Sequence, residues 1–258
     1  MLSSTTIKYL RSLQQKKFRQ KYDNFIVEGD KIAREILLTA SYDIEGIYAV
    51  EDWIKTNREA LKLHLKKTLT ISQAQLERIS GLRSPNQVLL VLRQAHHQLS
   101  QLSLHQNYAL YLDNIRDPGN MGTIWRIADW FGFSAILQSP DCVEPYNPKV
   151  IQASMGAFLR VPCLQVAFET VKIQFPNLPI CGTVLDGDNL FERKGPDEGL
   201  LVIGNESQGI SAAISAQLDF RLSIPAVGGA ESLNAAVATG IACAVLQNQS
   251  FLAHSFSK

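Results

Sequence analysis

Ile224-Pro-Ala-Val-Gly-Gly-Ala-Glu-Ser-Leu-Asn-Ala-Ala-Val-Ala-Thr-Gly240 is the stretch on which the reading of this chain turns. A strand ends at Ile224, because Pro225 has no N–H to give to a ladder. Gly228 and Gly229 let the backbone come close to a ligand. Ser232 and Asn234 set a hydroxyl and an amide at the start of a helix made almost wholly of small residues. One polar residue suffices for a helix cap. Gly-Gly beside Glu231, Ser232 and Asn234 is denser in polar chemistry than that, which favours a ligand site over a plain connection.

The rest of the chain says what kind of protein surrounds that site. At 258 residues and 46% hydrophobic content it has room for two modest domains. No apolar run reaches the length of a membrane span, and the N-terminus lacks the charged-then-apolar plan of a signal peptide. A cytoplasmic location is therefore expected. The four cysteines, Cys142, Cys163, Cys181 and Cys243, form no C-x-x-C pair, and the five histidines have no metal-ligand spacing, so reduced thiols and no metal are expected. The net charge of +1 conceals an asymmetry. Residues 1–93 carry 16 Lys and Arg against 10 Asp and Glu, and the remainder carries 9 against 14, or +6 against −5. A basic module that grips a polyanion, joined to an acidic domain that works on a small ligand, shows this division.

Within the basic part, Ile7, Leu10 and Leu13 recur at helical spacing, which predicts one helix over residues 4–20. Lys8, Arg11, Lys16, Lys17 and Arg19 lie along it with no acid before Asp23, so these five are candidate phosphate contacts for RNA. Strands at 25–27, 44–50, 68–71 and 88–92 alternate with helices from Asp30, from Asp52 and after Ser72, the pattern of a small α/β domain. The Gln-rich stretch 94–107 reads as a linker, with His96, His97 and His105 solvated within it.

Beyond the linker a strand at 108–112 runs into Asp113-Asn-Ile-Arg-Asp-Pro-Gly-Asn-Met-Gly122, read as a turn-rich loop before a helix over 123–131. Arg126 then falls about one turn into that helix, its side chain leaning back toward the N-terminus, where a phosphate or carboxylate would sit. An ion pair with Asp113 or Asp129 is the alternative. Apolar strands at 135–137, 162–166, 180–184 and 200–203, separated by helices, predict a parallel sheet. Its polar loops, beginning at Asp113, Gly204 and Pro225, should share one edge. Neither a P-loop nor G-x-G-x-x-G is present, which argues against nucleotide hydrolase and dehydrogenase chemistry.

Three motifs thus stand in order: Asp117-Pro-Gly-Asn120-Met-Gly122 with Arg126, then Gly204-Asn205-Glu206 with Gly209, then Ile224-Pro225 with Ser232-Leu233-Asn234. Together they resemble the SpoU/TrmH family of RNA ribose methyltransferases. The first 93 residues are similar in size and placement to the substrate-binding domain of many members. The resemblance implies an α/β fold of the SPOUT class, a mostly parallel, trefoil-knotted sheet over residues 108–258 preceded by a small α/β domain. It implies S-adenosylmethionine as cofactor and a homodimer. It also implies cofactor contacts at Gly204, Ile224, Leu233, Thr183 and Asn205, and a catalytic and structural polar set of Arg126, Asn120, Glu206, Ser232 and Asn234, with Arg126 also touching RNA.

Methyl transfer to a ribose 2′-hydroxyl needs alignment with a sulfonium and stabilisation of alkoxide character on oxygen. A guanidinium stays protonated, so Arg126 suits an electrostatic role beside a phosphate better than that of a base, and Glu206 is the alternative base. Asn120 would orient the ribose, while Glu206, Ser232 and Asn234 would fix the loops. The basic N-terminal part favours rRNA over tRNA as substrate. A non-catalytic RNA-binding protein of the same fold and a methyltransferase acting on an RNA base are the competing readings.

Overall fold

The computed structural model describes residues 2–104 and 107–255, with side chains of the last helix described to residue 249; His105 lies outside the described residues. The chain forms two compact units, one of residues 1–95 with 144–159 and one of residues 96–143 with 160–258.

In the first unit, α1 (Ser4–Ser12), α2 (Lys16–Tyr22), β1 (Asn24–Glu28), α3 (Asp30–Thr39), β2 (Ile44–Ala49), α4 (Glu51–Thr56), β3 (Thr68–Thr70), α5 (Gln73–Ile79) and β4 (Val88–Arg93) follow in order. The sheet runs β1-β4-β2-β3, antiparallel at its first two pairings and parallel at the last. Alternate residues of β4 face opposite sides. Leu89 and Val91 join Ile7, Leu10, Leu13, Leu76 and Ile79 in one apolar cluster. On β1, Phe25 is buried against the rings of Tyr146 and Phe158 at 4.5 and 5.9 Å, so residues 144–159 complete the core of this unit.

Two expectations change here. The helix predicted over 4–20 breaks after Ser12, and Gln15 is extended. The break leaves the Leu13 carbonyl without the partner a continuous helix would supply, and Arg19 Nη1 takes that place at 2.8 Å. The same guanidinium grips Glu144 with two bonds, Nε to Oε1 at 2.9 Å and Nη2 to Oε2 at 2.7 Å. Arg19 is only 2% exposed, so it is a structural pair and not the RNA contact that the charge pattern suggested. Lys8, Arg11, Lys16 and Lys17 remain exposed. The stretch read as a solvated linker is also partly structured: Leu99 and Leu104 are buried in the core of the second unit, and His97 is half-buried, its pKa lowered by desolvation.

The second unit holds β5 (Tyr108–Leu112), α6 (Pro118–Trp130) and β6 (Ile136–Gln138). After α7 (Pro148–Ser154), which belongs to the first unit, come β7 (Cys163–Gln165), α8 (Phe168–Gln174), β8 (Ile180–Asn189), β9 (Gly199–Ile203), α9 (Ala212–Ser215), β10 (Phe220–Ser223) and α10 (Ala235–Ser255). The six strands are all parallel, in the order β10-β8-β9-β5-β6-β7. Every residue of β5 and β9 is buried, as a sheet covered on both faces requires. On one face Ala109, Tyr111, Leu200 and Val202 pack with Phe168 and Val171 of α8. α10 lies along α6, where a Cβ added at Gly240 would meet Ile127 at 3.6 Å, so the small residues of α10 allow close approach. The cysteines are free, as expected, and burial pushes the Cys181 thiol up to about 12, which leaves it unreactive.

Because removing one partner strands a buried charge, Arg19→Ala should lower stability in urea unfolding by about 3–5 kcal/mol. Lys16→Ala and Lys17→Ala should stay within about 0.5 kcal/mol. A loss for Arg19→Ala no larger than theirs would contradict the buried pair.

Candidate active site

Strand order places the site. From β5 the chain proceeds outward through β6 and β7, whereas β8, β9 and β10 lie on the other side, so the sheet has its switch point between β5 and β9. Ligands of open parallel sheets collect at the carboxyl ends flanking such a point. The segments that leave the carboxyl ends of β5, β9 and β10, and the bulge of β8, all lie on that edge. β8 leaves its ladder at Gly182 and rejoins β10 at Asp188, so Thr183 stands at the mouth of the bulge.

After β5, Asp113 Oδ2 accepts from Ser211 N at 2.7 Å. Asn114 takes a left-handed φ of 61° while its N–H donates to Ser139 Oγ at 3.0 Å. Asp117 then caps α6 by accepting from Asn120 N at 2.7 Å, with Pro118 as the first helical residue. The expected turn at Pro118–Gly119 is therefore the opening turn of the helix: proline loses no bond at that position and its fixed φ suits it. As a result Arg126 stands two turns into α6, not one. It is exposed. The two acids that could have claimed it are engaged elsewhere, Asp129 with Arg160 at 2.8 Å and Asp113 with Ser211.

After β9, Gly204 has no room for a side chain, since a Cβ would lie 2.2 Å from the Gly209 carbonyl carbon. Asn205 and Gly209 exchange two main-chain bonds of 3.0 and 2.8 Å. The Asn205 amide donates to the Asn114 carbonyl at 2.9 Å and accepts from Ser207 N at 2.9 Å. Both its backbone and its side chain thereby shape the loop.

One chain of side-chain bonds joins these loops to α10. Asn120 Nδ2 donates to Glu206 Oε1, Asn234 Nδ2 donates to Asn120 Oδ1 at 2.9 Å, and Asn234 Oδ1 accepts from the N–H groups of Ala236 and Val237 at 2.9 and 3.3 Å. Its polarity has no freedom. A carboxylate only accepts and a helix N-terminus only donates, so each amide between them can face one way. Asn120 thus spends one N–H and one lone pair of its amide on bracing the loops. Ser232 is exposed in the segment before Asn234, Leu233 is 44% exposed and Ile224 is half-buried.

Residues 224–233 are distinctive for their backbone. No main-chain N–H or C=O among them has a hydrogen-bond partner among the described residues. Val227 and Leu233 add exposed apolar surface. Free amides and carbonyls beside apolar side chains fit an adenosine-bearing cofactor, whose base edge and ribose hydroxyls need donors and acceptors and whose faces need apolar cover. Among the described residues no group of three His, Cys, Asp or Glu could hold a metal. The residues that motif reading had not assigned, Asn114, Asp117 and Ser211, are loop braces. Asp-Pro before a helix was a legible cap; the Asn114 and Ser211 links join positions far apart in the chain.

Residues 107–244 match the model of the SpoU rRNA Methylase family, and residues 4–90 match the MRM3-like substrate binding domain. The chain is 26% identical to the 23S rRNA (guanosine(2553)-2'-O)-methyltransferase RlmP of Bacillus subtilis, over 91% of this chain and 93% of that one. It is similar to a putative RNA methyltransferase of the TrmH family from Porphyromonas gingivalis, with a TM-score of 0.87, 33% identity and coverage of 97% and 100%. An AdoMet-bound rRNA methyltransferase from Sinorhizobium meliloti superposes with a TM-score of 0.86 at 25% identity, covering 96% and 97%.

Asn234 serves both as helix cap and as link to Asn120, and two variants separate the roles. Asn234→Ala should cost about 1 kcal/mol in urea unfolding, and Asn234→Asp, which keeps the capping acceptor but cannot donate to Asn120, should recover most of it. Equal losses in the two variants would contradict the cap. With its parallel sheet, its three motif loops drawn together and a family model matched over more than half its length, the chain belongs to the SpoU rRNA methylase family.

Proposed function

We propose that this chain transfers the methyl group of S-adenosylmethionine to a ribose 2′-hydroxyl of rRNA. The observation that carries the reading is the Glu206–Asn120–Asn234 chain, which ties together the three motif loops, one of them preceded by a segment with free main-chain groups, while Arg126 is exposed on the helix that bears Asn120. RlmP and the Sinorhizobium meliloti enzyme, both matched over nearly their whole length, are named for rRNA, which favours rRNA over tRNA.

When bound, the cofactor supplies an electrophilic methyl on a sulfonium. Main chain around Gly204, Ile224 and Leu233, with Thr183 at the mouth of the β8 bulge, holds it. Arg126 grips the phosphate beside the target nucleotide and lowers the energy of negative charge developing on the 2′ oxygen, while the proton leaves to phosphate or water. Glu206 is less suited to act as base, because its carboxylate already accepts from Asn120. Ser232, exposed at the rim, faces the incoming RNA. The first unit, through Lys8, Arg11, Lys16 and Lys17, holds the RNA outside the site.

The SPOUT reading includes a trefoil knot in which the C-terminal segment passes through a loop. It is supported by α10, which packs on α6 and whose Gln249 bonds both Gly195 N and the Arg193 carbonyl. A homodimer is supported by the exposed Trp130 of α6, 84% accessible, and Val237 of α10, 51% accessible. No helix among the described residues is long and apolar enough to cross a membrane, in keeping with a cytoplasmic enzyme.

Arg126→Ala should lower kcat on rRNA by a factor of about a hundred to a thousand. Calorimetric binding of S-adenosylmethionine should be unchanged, and turnover within a few-fold of the parent would remove Arg126 from the mechanism. Sedimentation equilibrium should give the mass of two chains; a single-chain mass at micromolar concentration would refute the dimer.

A further inference from the structure

A second site lies in the first unit. Lys8, Arg11 and Ser12 stand at positions i, i+3 and i+4 on one face of α1, and the extended Gln15 follows just before α2. Together with Gln14, and with Ile79 and Ser80 at the end of α5, they line a groove of about 490 Å³, within the range of small-ligand sites. Its far wall is held firmly. Glu28, 7% exposed, accepts from the Ser80 hydroxyl and, at 2.9 Å, from Gly81 N. The Gln14 amide packs against Gly81, where a Cβ would lie 2.7 Å from Gln14 Nε2. That amide nitrogen is buried and has no hydrogen-bond partner, an uncommon state for a donor whose desolvation costs about 1–3 kcal/mol.

We propose that this groove seats one nucleotide of the RNA. Lys8 and Arg11 take its phosphate, and the amides of Gln14 and Gln15 bond the base edge. The Gln14 donor is then partnered in the complex. Two cations alone would hold any backbone equally, but two amides within a walled groove discriminate among bases. The first unit is thus a reader of a particular base as well as an electrostatic anchor. This inference rests on the RNA methyltransferase reading above.

The test uses the full chain and fluorescent single-stranded RNA homopolymers of A, C and U, each about twelve nucleotides long. The parent protein should prefer one homopolymer by about five- to tenfold. Gln14→Ala with Gln15→Ala should reduce that preference below about twofold with the salt dependence retained. Lys8→Ala with Arg11→Ala should weaken all three and reduce the slope of log K against log salt by about 1.4, two contacts at about 0.7 each. Lys62→Ala with Lys66→Ala, exposed and outside the groove, serves as control and should change neither. Circular dichroism checks that each variant folds. Absence of base preference in the parent, its persistence in the glutamine variant, or equal slopes in the groove and control variants would overturn the proposal. Methyl transfer to rRNA by the same preparations separates it from the underlying reading: transfer with an unaltered KM in Lys8→Ala/Arg11→Ala refutes the groove alone, and no transfer by the parent refutes the enzyme.

Discussion

The hydrogen-bond chain from Glu206 through Asn120 and Asn234 to the first N–H groups of α10 is the constraint on which the candidate site depends. Its members lie on three elements separated by 86 and 114 positions in the sequence. Each bond is modest by itself. Their joint value is directional, since an acceptor-only carboxylate at one end and a donor-only helix terminus at the other leave a single arrangement of the amides. The loops after β5 and β9 are thereby held in fixed relation to the segment that precedes α10.

That fixity leaves other groups free. Asn205, Asp113, Asn114 and Asp117 satisfy their neighbours within the loops, whereas the backbone of residues 224–233 has no partner among the described residues and the Arg126 side chain is exposed. The one offers hydrogen bonds and the other a positive charge. The chemistry proposed needs both, a cofactor held through main chain and a phosphate-bearing nucleotide held by charge.

The first unit shows a different economy of charge. Of the five candidate phosphate contacts near the N-terminus, one is turned inward to close a helix break and pair with Glu144, and the others face solvent. Spacing could not separate them, because the break at Leu13 has neither glycine nor proline to announce it. The break belongs to tertiary structure: Leu13 is buried, and the carbonyl it leaves open is filled by an arginine six residues on. Likewise nothing local told that residues 144–159 pack with the first unit, since their partners Phe25 and Arg19 lie more than a hundred positions earlier.

What the sequence determined by itself was everything with a local cause. Apolar runs broken by helical periods dictated a parallel sheet, Gly204 marked the loop where a Cβ cannot fit, and the order of three motifs pointed to the family. Pro118 shows the margin of such reading, for Asp-Pro-Gly suits a turn and a helix start alike, and capping by Asp117 decided between them. Tertiary structure alone decided which polar residues are braces and which are available. Asn120 and Asn205 carry the same side-chain chemistry as a ligand contact, and only the partners brought to them from distant positions commit their donors and acceptors. A hydrogen-bonding group has a fixed capacity, and the fold determines where it is used.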